Sequence, residues 1–103
     1  MEMESIPLKA LEITYGSYDF APISFQKAEL VIVTDYGDKL WYIEIDGVAE
    51  SELLRSFSLR EDIEVVVTAV LASGSSLRGK GYFHANEPHQ AAAIRGDGEL
   101  IRL

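Results

Sequence analysis

The sequence contains no cysteine and only two histidines. The lack of cysteine excludes a disulfide scaffold, a thiol nucleophile and a thiolate metal site. Long apolar runs are also missing, because the longest, Ile63–Ala72, is too short and too rich in β-branched residues to span a bilayer. The first residues include Glu2 and Glu4 and lack the basic region of a secretory signal. We therefore expect no membrane association and a cytoplasmic location.

Basic residues are scarce, with nine Lys and Arg against seventeen Asp and Glu, which gives a net charge of −8. A chain of this charge repels phosphate backbones and anionic lipid unless its basic residues cluster. The acidic residues are scattered along the sequence, which favours a solubilising surface over nucleic-acid mimicry. Nucleic acid is accordingly an improbable partner.

The sequence does contain segments in which apolar and polar residues alternate, the pattern of β-strands with one buried face. It is clearest in Lys39–Gly47 and Asp62–Leu71. Lys27–Asp35 is apolar on both faces, as in an interior strand, and joins the Trp41 strand through a turn around Gly37. An earlier strand is predicted in Pro7–Thr14.

Two segments depart from this alternation. Leu53, Leu54 and Phe57 have helical spacing and predict a short helix near residues 48–57, with Asp46 or Ser51 as N-cap. The segment Tyr15–Phe25 shows no periodic pattern of apolar residues and is interpreted as a loop. The fold prediction is all-β and mainly antiparallel: a small barrel or sandwich of about six strands with one short helix, residues 1–103 forming a single domain.

Two similar segments, Leu77–Phe83 (LRGKGYF) and Ile94–Leu100 (IRGDGEL), give the most specific prediction. If they pair as antiparallel strands with residue numbers that sum to 177, apolar residues, glycines and opposite charges all match across the ladder. The Arg-Gly-Asp tripeptide then lies in a strand and is not a displayed adhesion loop. The alternative is a tight turn at Gly96–Gly98. The predicted pairs are Leu77–Leu100, Arg78–Glu99, Gly79–Gly98, Lys80–Asp97, Gly81–Gly96, Tyr82–Arg95 and Phe83–Ile94.

The four glycines of this pair have two interpretations. They permit strong strand curvature with an aromatic such as Trp41 lying over them, or they leave a groove that a ligand approaches closely. The sequence favours curvature, since glycine pairs commonly mark bent strands.

A candidate metal site is formed by His84, Glu87 and His89 in the stretch HANEPH. Imidazole and carboxylate groups are ligand types that zinc accepts. The spacing is unlike that of helical zinc motifs, and Pro88 disfavours a helix. Two exposed histidines beside a hairpin loop are the ordinary alternative.

A candidate partner surface consists of aromatic residues: Tyr15, Tyr18 and Phe20 in the predicted loop, and Tyr82 in a predicted strand. Exposed tyrosines offer a large contact area at low entropic cost. The alternative for the loop aromatics is that they plug an open end of the barrel.

The sequence predicts no catalytic residue and no cofactor, and favours a non-catalytic binding or assembly module. Apolar residues on both faces of Lys27–Asp35, with Val66 and Val70, favour a protein partner or self-association. One alternative function is a small metal-dependent enzyme centred on His84, Glu87 and His89. Another is a single-stranded nucleic-acid-binding barrel, which the acidic charge disfavours; it would use Tyr82 with Arg78, Lys80 and Arg95.

Overall fold

The computed structural model describes residues 2–16 and 19–103, without the side chain of Asp19. This part of the chain forms seven strands, one α-helix and one 3-10 turn. In chain order these are β1 (Glu2–Tyr15), β2 (Asp19–Ile23), β3 (Lys27–Asp35), β4 (Asp38–Asp46), α1 (Ser51–Leu59), β5 (Glu64–Leu71), β6 (Ser76–Asn86), the 3-10 turn (Glu87–His89) and β7 (Ala91–Arg102).

The strands close into a barrel. Six of them follow the order β1, β3, β4, β7, β6, β5, and β5 pairs again with β1. Every pairing between neighbours is antiparallel. β2 is an additional strand on β1. The prediction of a mainly antiparallel all-β fold is confirmed, and the closed ladder identifies a barrel and not a sandwich.

Alternation along the strands places one face of each inside the barrel. The residues shielded from solvent at its centre are aliphatic or aromatic, and no polar or charged side chain is buried among residues 2–16 and 19–103. Their burial supplies the main favourable free energy of folding. The most deeply buried are Ile13, Leu30, Ile43, Ile45, Val48, Leu54, Val65, Val67, Phe83 and Ile94.

Helix α1 closes one end of the barrel. Its Leu54 and Phe57 are buried, and the Phe57 ring packs on Phe83 with 4.6 Å between ring centroids. The helix prediction is confirmed in position, but both predicted N-caps are wrong. The helix begins after Glu50, whose Oε1 accepts a hydrogen bond from the backbone N–H of Ser24 at 2.7 Å and makes no side-chain cap.

The prediction of a loop across Tyr15–Phe25 is wrong for Tyr15, the last residue of β1, and for residues 19–23. Residues 19–23 form β2, which pairs with Leu11–Tyr15 of β1. Pro22 lacks a backbone N–H and disfavours interior strands, but an edge strand accommodates it. β2 is such an edge, since in the described ladder it pairs with β1 alone.

The register predicted for the two similar segments is confirmed over most of the ladder. β6 and β7 pair with sums of 177 from Lys80–Asp97 through Asn86–Ala91. The ladder then shifts, so that Arg78 pairs with Ile101 and Leu77 with Arg102. The predicted pairs Gly79–Gly98, Arg78–Glu99 and Leu77–Leu100 are therefore wrong.

The cause of the shift is a bulge. Residues 98–100 of β7 lie opposite the single residue Gly79, and Gly98 has a φ of +86°, which favours glycine. The chain does not reverse at Gly96, because β7 continues to Arg102. The alternative of a tight turn there is excluded, and Arg-Gly-Asp lies within the strand.

Candidate functional site

The barrel wall opens where β4 meets β7. These strands pair only from Tyr42 to Ile45 of β4, against Ala92 to Arg95 of β7. β4 begins four residues earlier, at Asp38, and β7 continues to Arg102. Within residues 2–16 and 19–103, no strand pairs with residues 38–41 on the side away from β3. We call the gap between residues 38–41 and 96–102 the seam.

A groove of about 720 Å³ lies in the seam. A second cavity of about 350 Å³ shares Ile32 and Lys39 with it and lies at the start of β1. The two cavities adjoin through these shared residues at the end of the barrel opposite α1, and we call the pair the seam groove. The part inside the seam is lined by Ile32, Gly37, Asp38, Lys39, Leu40, Trp41, Leu77, Gly96, Gly98, Glu99 and Leu100.

Trp41 forms the inner wall of the seam groove and is only 5% exposed. Its indole Nε1 donates a hydrogen bond to the carbonyl oxygen of Gly98 at 3.0 Å, which joins β4 to β7 where their ladder has ended. A Cβ on Gly96 would overlap the indole ring, and a Cβ on Gly79 would lie 2.9 Å from its Cζ2. The side chain therefore fits only because two glycines lie beneath it.

The glycines of the two segments lie in different environments. Gly79 and Gly96 are covered by Trp41, as the curvature interpretation expected. Gly98 is exposed, has open space around its Cα and lines the seam groove. The bulge separates the two environments, because it turns Gly98 out of the regular ladder.

The charge of the seam groove is predominantly negative. Four carboxylates line its two parts, Asp38 and Glu99 in the seam and Glu2 and Glu4 at the start of β1, against one cation, Lys39. Carboxylates that share a concave surface add their potentials and attract cations. The seam groove thus combines apolar walls with an acidic rim.

The structure places the three predicted metal ligands on one hairpin. His84 lies on β6 and is exposed, while Glu87 and His89 lie in the 3-10 turn. In the part of the chain that the structure describes, no three His, Asp or Glu side chains are grouped so as to hold a metal ion. The geometry gives no support to a site formed by these three residues.

The predicted aromatic surface is divided between positions. The half-buried Tyr15 packs edge-to-face on Phe57, with 5.2 Å between ring centroids, so it helps to close the barrel end. Phe20 on β2 is exposed. The Tyr82 hydroxyl on β6 donates a hydrogen bond to Asp97 at 3.4 Å. Tyr18 lies outside the described residues.

The basic residues of β6 are engaged with their own sheet. Nζ of Lys80 lies 3.2 Å from a carboxylate oxygen of Glu64, and Nε of Arg78 donates to the Thr68 hydroxyl at 3.1 Å. The hydrogen bond to Glu64 and the charge of that carboxylate raise the pKa of Lys80 above its ordinary value of 10.5, and Asp97 adds to the effect. These contacts stabilise the outer surface of the barrel.

Sequence reasoning missed Leu40 and Leu100 as site residues. One signal for Leu40 was available: it stands next to Trp41, on the face of β4 that otherwise carries polar residues, and it is 65% exposed. Leu100 gave no such signal, because the predicted register placed it opposite Leu77 in a regular ladder. The seam itself depends on where β4 and β7 separate, which alternation does not encode.

Comparison of the chain with protein-family models, with curated proteins and with solved structures found no match. No helix in residues 2–16 and 19–103 has the length and apolar character needed to cross a membrane.

Proposed function

We propose that the protein is a non-catalytic binding module and that the seam groove holds a segment of a protein partner. The observation that carries this proposal is the early end of the β4–β7 ladder, which leaves two strand edges beside an apolar groove. Unpaired strand edges are templates for pairing with another chain.

The lining of the seam groove supports recognition. Leu40, Leu77 and Leu100 provide apolar surface, and the backbone of residues 38–41 provides hydrogen-bonding groups. A volume of about 720 Å³ falls within the range of ligand sites, which is about 300–1,000 Å³. Apolar walls with a few polar groups are the usual composition of such sites.

A peptide-display selection tests the proposal. Random peptides selected against the protein should include binders that slow hydrogen exchange of the amides in residues 38–41 and 97–101. Binding should weaken in Leu40→Asn, which removes an apolar side chain at the mouth of the seam groove without adding charge. Val66→Asn, at an exposed position on β5, is the matched control and should bind normally. If every selected peptide protects another surface, or binds Leu40→Asn equally well, the proposal is wrong.

A second candidate function, self-assembly, is favoured by a row of apolar side chains outside the barrel. Met3, Val33 and Leu40 are direct cross-strand neighbours on β1, β3 and β4. Met3 is 61% and Leu40 is 65% exposed. A contiguous exposed apolar patch is typical of an interaction surface. We call this set the outer row.

The cytoplasmic location remains a prediction.

A further inference from the structure

We propose that the segment bound in the seam groove is a cationic, extended peptide that adds to the edge of β4 as a further strand. This inference rests on the proposed function and specifies the chemistry of the partner and its mode of binding. It follows from the position of the free edge, from the length of the seam and from the charge around it.

The free edge of β4 sets the mode of binding. Residues 38–41 pair with β3 on one side, so every second backbone N–H and C=O group points into the seam. An extended segment can accept and donate hydrogen bonds there, as in strand addition. A helix presents no free backbone groups to such an edge, because its hydrogen bonds are internal.

The length of the seam limits the bound segment. The Trp41–Gly98 hydrogen bond and the β4–β7 ladder from Tyr42 close the inner end of the seam, so the added strand pairs with residues 38–40. At a rise of about 3.3 Å per residue this corresponds to roughly 10 Å of extended chain. Alternate side chains of the segment then face Trp41 and Leu100 inside the groove, which favours apolar residues at every second position.

The charge around the seam selects for cations. Asp38 on β4 and Glu99 on β7 both line the groove within the seam, and Glu2 and Glu4 line the adjoining part near β1. Lys39 is the single opposing charge of the lining. With a net charge of −8 on the whole chain, a second copy of this protein is repelled, whereas a lysine- or arginine-bearing segment is attracted.

The fluorescence of Trp41 provides a way to measure binding. Trp41 is the single tryptophan of the sequence and lines the seam groove. A ligand that enters the seam therefore changes the environment of the one indole in the protein, and intrinsic fluorescence can follow its titration.

The test uses a capped synthetic hexapeptide of alternating lysine and valine as the probe. We expect it to shift Trp41 emission saturably and to bind at least tenfold more tightly than the matched peptide of alternating glutamate and valine. Two N-methylated versions of the cationic peptide, each modified along one edge, separate backbone pairing from charge attraction. At least one should lose tenfold or more in affinity.

Charge-reversal variants locate the contact. Asp38→Lys and Glu99→Lys should each weaken binding of the cationic peptide about two- to fivefold, as expected for rim charges. Glu61→Lys, exposed between α1 and β5, carries the same charge change and should leave the affinity unchanged. Thermal unfolding of each variant establishes that the barrel is intact.

The outcomes separate this inference from the proposed function. Equal binding of the acidic and basic peptides, or no loss with either N-methylated peptide, overturns the inference. If display-selected peptides nevertheless occupy the seam, the proposed function stands with a different partner chemistry. If no peptide protects the seam, the proposed function and the inference both fail.

Discussion

Gly96 and Trp41 form the residue pair on which the inner wall of the seam depends. The indole lies against Gly96 so closely that a Cβ there would overlap it. We expect Gly96→Ala to displace the ring and to lower the free energy of unfolding by about 1–3 kcal/mol, the usual cost of overpacking. Denaturant unfolding measures the loss, and Trp41 emission should shift to longer wavelength because the indole becomes more exposed.

Gly74→Ala is the control for this prediction. Gly74 has a φ of +99° but open space around its Cα. A side chain there meets backbone strain of about 1–2 kcal/mol without a packing clash. Stability should fall while Trp41 emission stays unchanged. An unchanged emission spectrum in Gly96→Ala would contradict the packing argument.

Lys80 and Glu64 form the residue pair with a predictable pH dependence. The pKa of Lys80 is raised above 10.5, first by its hydrogen bond to Glu64 and then by the charge of that carboxylate. A lysine whose pKa is raised on folding stabilises the native state fully below its unfolded pKa, and this contribution is lost as the pH rises through the folded pKa. The pair therefore supports the barrel at neutral pH and not at strongly alkaline pH.

An NMR titration of the lysine side chains checks this sign. Glu64→Gln should lower the pKa of Lys80, because the amide removes the charge. Glu61→Gln should leave it in place. If the pKa of Lys80 were the same in the wild type and in Glu64→Gln, another group would have to be the cause.

At the scale of elements, the β3–β4 hairpin is a feature whose turn can be improved. Its two central residues, Tyr36 and Gly37, have φ values of +51° and +86°. A two-residue hairpin turn with two positive φ angles favours Asn-Gly, and tyrosine is an unusual residue at the first position. Tyr36→Asn should raise the free energy of unfolding by about 0.5–1 kcal/mol, since the tyrosine ring is fully exposed and contributes little packing.

Thermal and denaturant unfolding measure this gain. Gly37→Ala is the matched opposite change and should destabilise the hairpin, because alanine disfavours positive φ. A loss of stability in Tyr36→Asn would show that Tyr36 makes contacts that its exposure does not indicate.

The elements also differ in how far sequence patterns predicted them. Alternation of apolar and polar residues predicted β4 and β5, and a β-branched run that is apolar on both faces predicted β3. The twin segments fixed the register of β6 and β7 where glycine, apolar and charge matches agreed. The bulge at residues 98–100 was not predictable in this way. The sequence similarity between the two segments continues through these residues, whereas the regular pairing of β6 with β7 is interrupted there. β2 was not predicted because this edge strand, which lies outside the closed barrel, shows no alternation of apolar and polar residues.

The same reasoning explains what was missed in the candidate site. A seam is a place where pairing stops, and patterns of side chains predict where pairing occurs. His84, Glu87 and His89 were proposed because their side chains are of types that bind metal ions. Their spacing matches no known metal-binding motif, and residue type alone does not show that the side chains lie close together. Trp41 over the glycines was expected, and that contact forms the wall of the seam groove.

At the scale of the whole molecule, the two ends of the barrel differ. Helix α1 closes one end with Leu54 and Phe57. The other end carries the β3–β4 hairpin, the seam groove and the outer row. If the proposed binding takes place, it therefore uses the end of the barrel that α1 does not cover.

The outer row and the net charge act in opposite directions on self-association. Met3, Val33 and Leu40 offer apolar area to a second copy, while two chains of charge −8 repel each other. Because salt screens the repulsion and leaves the apolar contact, the balance depends on ionic strength. We expect a monomer at about 0.02 M salt and a rise in average mass at about 0.5 M salt and high protein concentration. Sedimentation velocity or light scattering measures both states.

Leu40→Glu should abolish that rise, because it places a carboxylate within the outer row, at its end on β4. Val66→Glu adds the same charge at an exposed position on β5, away from the outer row, and should not abolish it. The pair of variants thus separates a local contact from the general effect of charge. Association that is strongest at low salt, or that persists in Leu40→Glu, would exclude the outer row as the contact, because its apolar side chains gain nothing from unscreened repulsion.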